Sequence, residues 1–331
     1  MNATKSQRFS SFHFWQNVSN RNLKTLVVCS LCRVQASLLS IIITSFKEPN
    51  VDFAIKAIVG QEIPDDYELI VAAPDAETKA VVEKFAEKYP QIRYFQDHGK
   101  GKSSALNLLF NKAIGKILIF TDGDVVVGKD SIKNLLKHFS DEKVGVVSGR
   151  PVSSNRKDNM MGYWSHLLLD AGAHSIRKEM FEKGKFLEAS GYLFGLRTGV
   201  VNEIPLDVAE DAMIPYLFWQ KGYKISYAED APVYVKNPNN FSDFVKQRVR
   251  TAKAHENLLK HVPDFPRIKS FKNEILMGWH RALSYPKTPK EFIWTLALFP
   301  ARLYIWLKVF ADTKIKQKHY ADNWEKIEST K

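Results

Sequence analysis

From about residue 40, short unbroken apolar runs alternate with segments of helical periodicity. That alternation constrains the fold more than any other feature of the chain. "LLSIIITSF" opens the series, and a run this short and continuous reads as a strand buried on both faces. "VDFAIKAIVG" follows with helical spacing and a closing glycine, and "YELIVAA" is a second strand. "PDAETKAVVEKFAEKYP" reads as a helix, with Asp75 as its N-cap and Pro90 beyond its end. "IRYF", "KILIFTD" and "VGVVSG" are further strands, and "KSSALNLLFNKAIG" and "DSIKNLLKHFS" are helices. This spacing implies right-handed crossovers and an α/β fold, a mostly parallel sheet flanked by helices. Ligands of such sheets bind beyond the carboxyl ends of the strands, where "SFKE", "APDAE" and "TDGD" all fall.

After Pro151 the rhythm changes. "MMGYWSHLLLDAGAHSIRKEMF" is a long helical stretch, and "ASGYLFGLRTG" is a glycine-flanked turn leading into a strand. "DVAEDAMIPYLFWQKGY" is a helix that opens on acids, "KISYAED" a strand, and "FSDFVKQRVRTAKAHENLLK" a basic amphipathic helix. The expected organisation is a basic N-terminal segment at 1–38, a catalytic α/β domain at 39–235, and a basic, aromatic-rich helical extension at 236–331.

Net charge is +12 and uneven: the stretch from Val235 to Lys331 holds 19 Lys+Arg against 9 Asp+Glu. The first 40 residues add Lys5, Arg8, Arg21, Lys24 and Arg33 without an acid. Such ends suit an anionic partner, yet no nucleic-acid-binding motif accompanies them. Cys29 and Cys32 form a lone C-x-x-C, which without a second pair reads as two reduced thiols of an intracellular protein. No secretory signal is evident. The apolar run Phe292 to Phe310 has the length of a membrane span, but Pro300 and Arg302 sit at its middle. An arginine there costs roughly 2.5–3.5 kcal/mol on insertion scales. With Trp294, Tyr304, Trp306 and Lys308 interspersed, an interfacial or re-entrant amphipathic segment is expected.

The chemistry concentrates in "TDGD". Asp122 and Asp124, one residue apart at a strand end, suit a hard divalent cation, Mn²⁺ or Mg²⁺, that keeps positions open for substrate phosphates. An EF-hand is excluded, because the sixth position from Asp122 is Val127 and the twelfth is Lys133. A P-loop is excluded too, since Gln96 stands where its first glycine belongs. Just upstream, "DHGKGKSSALN" offers glycines, Lys100, Lys102 and a helix N-terminus, a natural phosphate seat. A ligand pair for a metal beside a phosphate loop points to a nucleotide diphosphate. His98 and His255 carry no motif of their own.

From about Ser40 to Leu259 the ordered set of motifs resembles a family 2 glycosyltransferase of the GT-A fold. "SIIITSFKE" stands for the strand that usually ends Pro-Thr-Tyr-Asn-Glu, "GKGKSSALN" for the basic loop, and "TDGDVVV" for the Asp-Ala-Asp motif. "ASGYLFGLR" matches the acceptor loop, "AEDAMIPYLFWQKGYKISY" the helix that carries the base, and "FVKQRVRT" the Gln-x-x-Arg-Trp element. The sequence departs from the pattern at Thr44 (for proline), at Ala72 and Ala73 (for Asp-Asp), and at Thr251 (for tryptophan).

The resemblance implies inverting transfer of a sugar from a nucleotide-diphosphate sugar, a UDP-sugar being favoured, to a hydroxyl or phosphate of a glycan or lipid-linked acceptor. It implies Asp211 as catalytic base, and Asp124 with Asp122 as metal ligands. Phe46, Glu48, Asp75, Lys102 and Asp122 would bind the donor. Gly191, Tyr192, Glu210, Gln247, Arg248 and Arg250 would bind acceptor or diphosphate. The basic, tryptophan-rich C-terminal part suggests an anionic membrane surface as partner. The expected place is therefore the cytoplasm, peripheral to the membrane. The alternatives are a processive polysaccharide-synthase-like subunit and a sugar nucleotidyltransferase. The latter would need a glycine-rich, arginine-bearing loop after the first strand, and "SFKEPN" is not one.

Overall fold

Eight strands form one sheet in the order β3-β2-β1-β4-β7-β6-β8-β5. In chain order these are β1 (Leu39–Thr44), β2 (Tyr67–Ala73), β3 (Ile92–Gln96), β4 (Ile117–Asp122), β5 (Val125–Val127), β6 (Val144–Ser153), β7 (Leu193–Arg197) and β8 (Lys224–Val235). β1, β2, β3 and β4 are mutually parallel, as are β6 and β8. β7 runs antiparallel between β4 and β6, and β5 antiparallel beside β8. The computed structural model describes residues 39–63, 66–266, 268, 270–316, 320 and 327–330. The basic N-terminal segment with Cys29 and Cys32 lies outside the described residues.

The apolar runs are continuous because both faces of the sheet are covered. Ile42, Ile70, Leu118 and Phe120 enter one core, while Ile41, Ile43, Leu69, Val71 and Ile119 enter the other. That is the period of two expected of a strand. Phe120 stacks on Phe194, its partner across β4 and β7, with ring centroids 5.1 Å apart. Helices α1 (Val51–Val59), α2 (Ala76–Lys88), α3 (Lys102–Phe110) and α4 (Ser131–His138) make the crossovers. Asp75 caps α2 as its sequence predicts, accepting from the Thr78 N–H at 2.9 Å.

The long helical stretch after β6 is observed as α5 (Met160–Leu167), a π-wound segment (Leu168–His174) and α6 (Ser175–Glu182). α7 (Glu210–Gln220) and α8 (Phe241–His261) flank β8. A further run joins Phe271–Asn273, a second π-wound segment (Glu274–Gly278) and α9 (Trp279–Ser284), before α10 (Pro289–Phe310). α5, α8 and α10 share a third core built on Trp164, Leu167, Phe244, Val249, Leu298 and Ile305.

The segment 292–310 is one helix rather than a re-entrant pair. Arg302, the residue that argued against a span, donates to both oxygens of Glu274 at 2.5 and 2.7 Å. Among the described residues, Pro289–Ile315 is the helical stretch long and apolar enough to cross a membrane. One side of α10 enters the third core; the other exposes Phe292, Leu296, Phe299, Leu303, Leu307 and Phe310, spaced three or four apart.

Candidate active site

The site assembles at the carboxyl ends of β1 and β4, which lie in register so that Thr44 pairs with Asp122. Thr44 donates its hydroxyl to Asp122 Oδ1 at 3.0 Å. Just beyond, the Gly123 N–H donates to the Thr44 carbonyl at 2.9 Å and ties the loop to β1. A Cβ at 123 would stand 2.8 Å from Ser45 Oγ and 3.0 Å from Ser45 Cβ. Glycine is therefore what lets the two carboxylates follow one another at this close approach.

Lys102, the first residue of α3, reaches across to three groups. Its Nζ lies 2.6 Å from Asp122 Oδ1 and 3.2 Å from Glu210 Oε1, and donates to the Gly191 carbonyl at 2.9 Å. Burial works against its charge, but Asp122 and Glu210 outweigh it and hold the ammonium well above its ordinary range. Residues from three separate parts of the chain, at 122, 191 and 210, are thus pinned by one cation.

Asp124 is reached by solvent yet ringed by protein at the floor of the cleft. This enclosure, with the charges of Asp122 and Glu48, pushes its carboxyl up to about 7. A divalent cation bound there would relieve that crowding. Among the described residues no group of three or more His, Cys, Asp or Glu forms a metal cage. The donor set is instead hard and short of ligands, two carboxylates with one already engaged by Lys102. That fits a cation that shares its coordination with substrate phosphates.

One continuous cleft brings most of the expected residues together. Phe46, Glu48, Lys102, Asp122 and Asp124 line it, and so do Gly191, Tyr192, Glu210 and Asp211. Gln247, Arg248 and Arg250 enter from α8. Asp211 opens α7 beside Glu210, and its own carbonyl accepts from the Ala189 N–H at 2.9 Å. Negative charge at this helix start also complements the dipole.

Asp75 is not among the lining residues. Its Oδ1 takes the Thr78 amide and hydroxyl at 2.9 and 2.7 Å, and its Oδ2 takes the Lys47 N–H at 2.8 Å. Burial would raise its carboxyl, but these bonds prevail and lower it. Lys47 has φ 47°, a left-handed backbone rare outside glycine. Asp75 therefore holds the strained turn that presents Phe46 and Glu48 to the cleft.

Two features have no local signal in the sequence. Thr44 is marked there only by the missing proline, and its partner lies 78 residues away. His255 and Glu188, 67 residues apart, form a buried pair at 3.2 Å, and both line the cleft.

Residues 40–204 match the model of Glycosyl transferase family 2. The chain belongs to this family. Among curated relatives, "Probable glycosyltransferase YdaM" of Bacillus subtilis (strain 168) is 25% identical over 228 residues, 65% of this chain and 54% of that protein. The poly-beta-1,6-N-acetyl-D-glucosamine synthase of Staphylococcus aureus (strain COL) is 25% identical over 206 residues, 60% and 50% of the two chains. The chain thus spans about half the length of the curated relatives it matches. Among solved structures, the mannosyltransferase PcManGT from Pyrobaculum calidifontis, in complex with GDP-Man and Mn²⁺, aligns over 84% of this chain and 81% of its own. The TM-score is 0.54 at 19% identity. The likeness establishes the fold: this family 2 transferase has the α/β sheet expected of GT-A, and the helical C-terminal extension expected from its sequence is present as well.

Proposed function

We propose that this family 2 glycosyltransferase moves a sugar, with inversion, from a nucleotide-diphosphate sugar to a hydroxyl of a membrane-associated acceptor. The observation that carries the reading is the cluster of Asp122, Asp124, Lys102, Glu210 and Asp211 in one cleft. Asp124 and Asp122 would hold a divalent cation, which supplies Lewis-acid stabilisation of the leaving diphosphate when bound. Lys102, fixed by Asp122 and Glu210, places positive charge beside that leaving group. Asp211 takes the proton of the acceptor hydroxyl as its oxygen attacks C1 of the sugar. The bond from C1 to the diphosphate oxygen breaks, and the nucleotide diphosphate leaves with the electron pair. A phosphate acceptor would need no such base, so the carboxylate favours a hydroxyl.

The test is a thermal-shift panel of UDP, GDP, CDP and dTDP, each with and without Mn²⁺. One nucleotide, with uridine favoured, stabilises the protein when the metal is present. A panel with no metal-dependent shift overturns the reading.

The residues at 236–331 would act as a membrane-facing extension of the catalytic residues 39–235. Supporting this, the exposed stripe of α10 sits in the most basic third of the chain. The full chain is expected to co-sediment with vesicles containing anionic lipid at low salt. Leu296→Glu combined with Leu307→Glu should lower that binding at least tenfold, since these side chains are 47% and 59% exposed and carry no core packing. Equal sedimentation of both proteins would sink the idea.

A further inference from the structure

The cleft continues past the carboxylates as one cavity of about 850 Å³. Its far part is walled by the two π-wound segments, through Leu168, Ala171 and Gly172 on one and Ile275, Met277 and Gly278 on the other. π-winding is rare and recurs at functional sites. Small residues at 171, 172 and 278 keep this chamber open; a Cβ added at Gly172 would meet nothing within 4 Å. Leu298, Leu303 and the indoles of Trp279 and Trp306 complete an apolar lining.

At the junction of chamber and carboxylates stands Arg248. It lines the same cavity, close enough to Tyr192, Glu274 and Arg302 to feel all three electrostatically. Tyr192 in turn feels Asp122 and Asp124. Arg248 makes no ion pair among the described residues, whereas Arg302 beside it is satisfied by Glu274. The Nε of Arg248 and the Oε1 of the neighbouring Gln247 are buried without hydrogen-bond partners. Burial and the nearby Arg302 bring the guanidinium down to about 10. The guanidinium is half-buried over the Phe244 ring, 5.5 Å from its centroid, and Glu274 is already held by Arg302, so the orphaned buried Nε calls for a missing partner.

We propose that the acceptor is a sugar joined through phosphate to a long apolar chain, with the chain in the chamber, the phosphate on Arg248 and the sugar hydroxyl at Asp211. The inference rests on the transferase reading and names its acceptor class. Arginine recognises phosphate through paired, charge-assisted hydrogen bonds. A free glycan would find leucine, isoleucine and methionine where its hydroxyls need partners. An acyl or isoprenoid chain loses nothing there.

The probe is dodecyl phosphate below its micelle concentration, compared with dodecanol and with inorganic phosphate. The readouts are tryptophan fluorescence, to which Trp279 and Trp306 contribute, and the thermal midpoint. Dodecyl phosphate is expected to bind at least tenfold more tightly than either comparator. Arg248→Gln should bring its affinity to that of dodecanol, and Gly172→Trp, which fills the chamber, should abolish both. Gly172→Trp should still show the metal-dependent nucleotide shift, which reports an intact fold and donor site. Equal binding of dodecyl phosphate and inorganic phosphate, or dodecyl phosphate binding untouched by Gly172→Trp, overturns the proposal; the second result would mean adsorption on the α10 stripe. Loss of the nucleotide shift in the unmodified protein would instead count against the transferase reading.

Discussion

Asp211→Asn is expected to lower kcat by roughly 10²–10⁴, the usual contribution of a positioned general base, and to leave nucleotide binding unchanged. Asparagine keeps the size of the side chain and its place at the start of α7. It also leaves the backbone bond from Ala189 to the residue 211 carbonyl intact. What it removes is the capacity to accept a proton. Glu210→Gln should behave differently, because Glu210 touches Lys102 at 3.2 Å and acts on the site through it. Its loss should weaken donor binding more than it lowers kcat. The check is kcat alongside the nucleotide dissociation constant for both variants. A fall of less than tenfold in kcat for Asp211→Asn would remove that residue from the base role.

Lys102→Ala is the second large effect, and it is expected first in stability. Removing one partner of a buried charge pair costs about 3–5 kcal/mol, because the remaining charge stays behind unpaired. Here two carboxylates remain, Asp122 and Glu210, and the cleft admits some water, so about 3 kcal/mol is the expected loss. The variant also gives up the hydrogen bond to the Gly191 carbonyl that anchors the 190–192 loop. Adding Asp122→Asn to Lys102→Ala should recover part of the loss, since it removes one stranded charge. Urea unfolding of the two single variants and the double variant gives the coupling directly. Strict additivity would mean that the pair contributes nothing beyond its separate residues.

The sheet was legible because its physics is local. A run such as Ile41–Ile43 cannot be hidden except between two layers, and the next helix supplies one of them. Asp75 as a cap was legible for the same reason, since its partner is three residues away. The site was legible in part. "DGD" and "ED" mark charged groups that a core would not tolerate, so their place at a cleft followed. The clasp of Lys102 on Asp122, Glu210 and Gly191 spans 108 residues of sequence and has no periodic trace. β5 leaves no such trace either, because three residues carry no pattern to read and its partner in β8 lies more than 100 positions away. The second use of Asp75, on the Lys47 amide, depends on a left-handed turn that nothing in "FKE" announces. The chamber depends on two π-wound segments a hundred residues apart, each of which reads as ordinary helix in sequence.

In the proposed mechanism the carboxylates at the end of β4 hold a donor diphosphate through a shared cation. Electron paramagnetic resonance of free Mn²⁺ tests it most directly. With the full chain alone the free-ion signal should fall little, because Asp122 is occupied by Lys102 and Thr44. Adding the nucleotide diphosphate that stabilises the protein should remove about one equivalent of free Mn²⁺ per chain, beyond what the nucleotide binds by itself. Asp124→Ala should abolish that extra uptake. Uptake that persists in Asp124→Ala, or that never appears in the unmodified protein, would contradict the account.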